Sequence, residues 1–139
     1  MDIVQRLRGK AGIVTDGKVL IVREAATYDE ATNAGKYDLP GGRINAAEPF
    51  RIGLAREIKE ETGQELEIGK IICAGEWFPE IKGIKNHIVA MFFICHIPSG
   101  VVVLSNEHDD YQWVNNDTMR NYTMSPPNYD VIETYFSMN

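Results

Sequence analysis

Two periodicities divide this chain. "AGIVTD" and "KVLIVRE" are β-rich runs that meet at Asp16-Gly17, and Asp-Gly between such runs predicts a hairpin. The polar stretch "AATYDEATNAGKYD" reads as a loop, and "LPGG" follows it. Pro40 restricts Leu39 to an extended conformation, and the glycines allow backbone angles that other residues avoid. From residue 48 to 62 the apolar spacing becomes helical: Phe50, Leu54, Ala55, Ile58 and Thr62 form one stripe, and Gly63 is the stop. "KIICAGEWF" and "HIVAMFFICHI" are two further extended runs, and "GVVVL" and "YQWV" read as shorter strands. "SPPNYDVIETYFSM" reads as a closing helix with Ser125 or Pro126 near its start. Strands, a helix, more strands and a helix predict an α/β fold, a mixed sheet with helices packed on its faces. With no repeat or linker, the 139 residues read as one domain, 1–139.

Charge and composition narrow the partners. The net charge of −6 argues against duplex nucleic acid, which calls for a basic surface. No apolar run approaches the length of a membrane span, and the N-terminus lacks the apolar core of a signal peptide. Cys73 and Cys95 sit in apolar runs and read as reduced core residues; two cysteines are too few for a structural zinc site. These features predict a cytoplasmic protein.

The predicted helix carries a puzzle. Glu57, Glu60 and Glu61 crowd within five positions, and like charges three or four apart cost a helix about 0.2–0.5 kcal/mol per pair. With Leu54 as zero and about 100° per residue, Glu61 falls at about −20°, Glu57 at about −60° and Glu60 at about −120°. Glu61 and Glu57 thus flank the apolar stripe, where carboxylates are partly desolvated and call for a cation. Three converging hard oxygens suit Mg²⁺, with Mn²⁺ as the alternative. A solvated acidic helix face is the competing reading. The preceding "PGG" favours the metal, because glycine backbone can approach a bound ion closely.

These residues resemble the signature of the Nudix hydrolase family, G-x5-E-x7-R-E-U-x-E-E-x-G-U, where U is a bulky aliphatic. Here it runs through Gly42, Glu48, Arg56, Glu57, Ile58, Glu60, Glu61 and Gly63. Only the final aliphatic departs, being Gln64. "GKYDLPGG" is similar to the usual lead-in, and "NEHDDYQWV" to a downstream acidic segment. The resemblance implies the Nudix fold, an α/β/α sandwich with a mixed sheet and a loop–helix–loop catalytic motif. It also implies hydrolysis of a diphosphate linkage in a nucleoside diphosphate derivative, with a small nucleotide as substrate and a monomer or homodimer as the assembly.

The resemblance assigns roles to named residues. Glu57, Glu60 and Glu61 are implied as metal ligands, with the Gly41 carbonyl and Glu107 as helpers, and Glu57 doubles as general base. Arg56 and Glu48 are expected to pair and orient the catalytic helix. MutT-type members contact the nucleotide at the positions of Arg23 and Asn128. Each has a plainer reading: Arg23 as a solvated strand end, Asn128 as a helix cap, Glu107 as a loop acid. Phe78, Trp77 and Tyr28 are candidates to stack on a base, although aromatics near strands are usually core. His87, His96 and His108 lack metal-pair spacing and read as structural or surface residues. Cleavage of a nucleoside triphosphate, oxidised or not, to monophosphate and pyrophosphate is the favoured expectation. An ADP-ribose or nucleotide-sugar pyrophosphatase is the alternative, on the strength of Pro79 lying 15 residues after the motif, and a non-catalytic nucleotide-binding domain is the third reading.

Overall fold

The hairpin at Asp16-Gly17 joins β1 (Val4–Thr15) to β2 (Lys18–Glu24), with both turn residues at positive φ as a type I′ turn requires. This computed structural model describes residues 2–27, 33–98 and 101–138, so Tyr28 lies outside the described residues. The remaining strands are β3 (Tyr37–Asp38), β4 (Gly41–Arg43), β5 (Glu67–Trp77), β6 (Glu80–Ile81), β7 (Ile84–His96) and β8 (His108–Val114). The α-helices are α1 (Phe50–Thr62) and α2 (Asn128–Ser137), and a short 3-10 turn covers Met119–Asn121.

β1 begins earlier than its apolar run suggests. Its first half, "VQRLRGK", pairs in parallel with β7 from Val4↔Asn86 onward, while Arg8–Lys10 pair antiparallel with β4. Tertiary pairing therefore extends a strand through a charged stretch. The main sheet order is β3-β2-β1-β7-β5, with β8 beside β2. It is a mixed sheet with a helix on each face, as expected.

Strand alternation separates the two cores. Ala11, Ile13, Leu20, Val22 and Cys95 pack with Leu54 and Ile58 of α1. Val14, Val19, Ile21, Ala90 and Phe92 pack with Val131 and Ile132 of α2. Gly63 ends α1 in the left-handed region, its N–H donating to the Lys59 carbonyl. Cys73 and Cys95 are both free.

One local expectation needs correction. The described part of "GVVVL", residues 101–104, forms no strand; the Val103 N–H donates to the Thr62 carbonyl at the end of α1 rather than to a sheet neighbour. α2 starts at Asn128, with Ser125 and Pro126 just before it as expected. The prolines supply no N–H there, and Asn128 donates both its backbone N–H and its side-chain amide to the Ser125 carbonyl.

Candidate active site

α1 grades its three glutamates by their angle from the apolar stripe. The Glu61 side chain is 4% exposed, Glu57 16% and Glu60 60%. Glu61 and Glu57 line a cavity of about 500 Å³, together with Gly41, Gly42, Glu107 and His108. Glu60 is not among the residues lining it; its carboxylate accepts from Arg56 Nη1 at 3.5 Å.

The loop before α1 is built around these carboxylates. The Gly41 N–H donates to Glu61 Oε2 at 3.0 Å. At Gly41, φ is +136°, and a Cβ would fall 2.1 Å from the Gly9 carbonyl oxygen. At Gly42, a Cβ would fall 2.4 Å from Glu57 Oε2. Gly41 must be glycine for the chain to pass this close, whereas a side chain at Gly42 would push the Glu57 carboxylate aside. Arg56 holds the arrangement from behind: its Nε and Nη2 donate to both Glu48 oxygens at 2.8 and 3.0 Å, and Nη2 also reaches the Arg43 carbonyl. Arg56 Nη1 donates to Glu57 Oε1 at 3.0 Å. Such a fork fixes direction as well as charge. It holds the Glu48 carboxyl down at about 2, aided by the Asn45 N–H.

Electrostatics at the acidic end favour a cation. Burial pushes the Glu61 carboxyl well above its usual range; Glu57, Glu107 and Asp38 add to this, and Lys10 opposes it. Burial also raises Glu57, against the pull of Arg56. Among the described residues, no lysine or arginine forms an ion pair with Glu61 or Glu107. Glu61, Glu107 and His108 each bring a ligand atom within 4.8 Å of the others. Carboxylates crowded so closely in a partly desolvated site fit a hard divalent ion. Sequence spacing missed His108, because beside its chain neighbour Glu107 the other carboxylate, Glu61, comes from α1. Its Nε2 lies 3.6 Å from Glu61 Oε1, and its Nδ1 is buried without a partner. Burial and Lys10 lower its pKa to about 4, so the ring is neutral at pH 7 and able to act as a ligand.

The substrate-contact candidates fare unevenly. Arg23 Nε donates to Asp109 at 2.6 Å, outside the cavity lining. Asn128 is 2% exposed; it accepts the Leu39 N–H and donates to Ser125, which ties the α2 start to the loop before the glycines. Phe78 is not brought to the cavity. Its ring, 69% exposed, stacks on His87. His87 neighbours Asn86 along β7, and Asn86 lines the cavity, so alternation puts the stack on the opposite face. Trp77 and Pro79 line a smaller adjoining pocket of about 40 Å³.

A family model described as "NUDIX domain" matches residues 6–135. The CTP pyrophosphohydrolase of Escherichia coli (strain K12) is 27% identical over 127 residues, covering 91% of this chain and 87% of its own. The nucleoside triphosphatase NudI of Klebsiella pneumoniae (strain 342) is 27% identical over 120 residues, 81% of this chain and 84% of its own. A crystal structure of a MutT protein from Methanosarcina mazei Go1 has a TM-score of 0.80 at 30% identity, covering 98% of this chain and 96% of that one.

Proposed function

Because the chain belongs to the Nudix family of hydrolases, we propose that it cleaves nucleoside triphosphates to monophosphate and pyrophosphate with the aid of Mg²⁺. The convergence of Glu57, Glu61 and Glu107 on a glycine-lined cavity carries this reading. The names of two relatives, a CTP pyrophosphohydrolase and a nucleoside triphosphatase, support the substrate class.

In this reading Glu57, Glu61 and Glu107 hold the ion, with the Gly41 carbonyl and Glu60 completing the set and Mn²⁺ as a substitute. A bound divalent ion neutralises the diphosphate and makes water a better nucleophile. The protein supplies orientation. Arg56 fixes Glu57 Oε1, while Oε2 lies over Gly42. Glu57 takes the proton from the attacking water. Arg56 and Glu48 hold α1 against the loop, so the carboxylates keep their places when the substrate binds. Arg23 and Asn128 would act on the nucleoside only after rearrangement, since both are engaged with other partners.

One observation favours a second reading. Trp77 and Pro79, the segment on which the ADP-ribose alternative rests, line the small pocket beside the cavity, so a group extending past the diphosphate would meet them. Incubation of the protein with Mg²⁺ and a panel of canonical and 8-oxo nucleoside triphosphates, ADP-ribose and a nucleotide sugar separates the two. Monophosphate plus pyrophosphate is the expected product. AMP plus ribose 5-phosphate, with triphosphates untouched, would replace the first reading with the second. Silence across the panel would leave a nucleotide-binding domain.

A further inference from the structure

β1 carries cations at alternate positions, Arg6, Arg8 and Lys10, and period-two alternation puts all three on one side of the strand. That side is the α2 face, since Gly9 lies against Phe50 and Leu54 on the α1 side. The α2 face lies open here, and all three residues line the cavity. Lys10, nearest the carboxylates, is committed: its Nζ donates to Asp38 Oδ2 at 3.0 Å. Arg6 and Arg8 are different. Among the described residues they form no ion pair, and the Nε of each is buried without a hydrogen-bond partner.

Two acids, Asp38 and Glu24, line the cavity with Arg8, and each has another partner. Asp38 holds Lys10, and Glu24 accepts the Asn33 N–H. The cavity is therefore bipolar. Glu57, Glu61 and Glu107 make one end acidic, and Arg6 and Arg8 make the other basic. Each half-buried guanidinium keeps one N–H without a partner while its charge faces the cavity, and an unmet buried donor costs stability unless something pairs with it. A nucleobase or a neutral sugar does not supply charge; a phosphate does, and it accepts the guanidinium fork.

We infer that Arg8 and Arg6 form an anion site for a third phosphate of the substrate, lying beyond the diphosphate held at the carboxylate end. The row is spaced to extend away from that end: Arg8 lies about 7 Å and Arg6 about 13 Å along the strand from Lys10. This assignment rests on the proposed function and deepens it, because a triphosphate has a phosphate to place there and ADP-ribose does not.

The test measures binding without turnover. Inorganic tripolyphosphate and pyrophosphate are titrated calorimetrically, with Mg²⁺ present, into the wild type and into Arg6→Gln, Arg8→Gln and the double variant. Lys18→Gln, an exposed cation on β2, controls for net charge. The wild type is expected to prefer tripolyphosphate, and each arginine variant to lose at least about tenfold in affinity for it. Affinity for pyrophosphate is expected to fall less than threefold, and Lys18→Gln to match the wild type. In turnover, KM for a nucleoside triphosphate should rise while kcat holds. The ligand-free melting temperature should stay level or rise, because an unpaired cation is removed. Equal binding of the two anions, no binding of tripolyphosphate, equal losses in Lys18→Gln, or a lower melting temperature in the arginine variants would each overturn the assignment. The substrate panel is independent of it: loss of triphosphate cleavage there defeats the proposed function, whereas this titration judges the anion site on its own.

Discussion

At the residue scale, small differences in position along one helix turn decide chemistry. Glu61 and Glu60 are neighbours in sequence, yet one is buried in the cavity and the other is largely exposed. Their order of burial follows the wheel angles from the apolar stripe. Glu57→Gln is expected to lower turnover by about 10²–10⁴-fold with the fold retained, as for loss of a positioned base. Circular dichroism and steady-state rates check this. Arg56→Lys keeps the charge but loses the fork to Glu48, so a fall of about 10–100-fold is expected. His108 gives a pH signature. Its folded pKa of about 4 lies below the ordinary 6.5. Burial of the neutral ring therefore stabilises the fold above pH 6.5, and that contribution is lost as pH falls toward 4. Thermal melts in EDTA should show a steeper decline over this window in the wild type than in His108→Asn. Identical slopes would show that the ring's burial does not set the titration.

At the element scale, the loop of β4 and the start of α1 work as a unit whose two glycines have different jobs. Gly41 has a positive φ and no room for a Cβ against the Gly9 backbone, which cannot yield. Gly41→Ala is expected to cost about 3 kcal/mol or more in unfolding free energy. At Gly42 the obstruction is the far end of the Glu57 side chain, which can swing aside. Gly42→Ala should change stability by less than about 1 kcal/mol, yet weaken divalent-ion binding about 10–100-fold by displacing Glu57. Denaturant melts and metal titration of the pair distinguish backbone need from site need. Comparable losses of stability in both variants would refute the distinction.

At the scale of the whole molecule, the acidic end of the cavity lies where β1, β4, α1 and the start of β8 meet. Crowded carboxylates oppose folding in the absence of a cation, so a bound ion should stabilise the entire protein. At a hundredfold excess over its dissociation constant, Mg²⁺ is expected to add about 2.7 kcal/mol. Differential scanning calorimetry with Mg²⁺ against EDTA reads this, and Glu61→Gln should shrink the increment. An increment unchanged in Glu61→Gln would remove that residue from the ion site.

Much of this architecture was legible from local pattern. The hairpin at Asp16-Gly17, the helix ending at Gly63, the apolar stripe and the grading of the glutamates all depend on short-range periodicity. The pairing of Arg56 with Glu48 was implied by the family resemblance, and both residues lie on one short loop–helix unit. Local pattern could not place what distant segments decide. "VQRLRGK" became strand because β7 pairs with it, whereas "GVVVL" was drawn to the end of α1 instead of a sheet. Phe78 went to the wrong face for the cavity through one step of strand alternation, and His108 came to Glu61 from far along the chain. The sequence by itself determined the first hairpin, the first helix and the angular placing of that helix's glutamates, because those rest on neighbours within a few residues. Only the tertiary structure decided what faces that helix across the cavity, because strand register and burial are set by the packing of the whole chain.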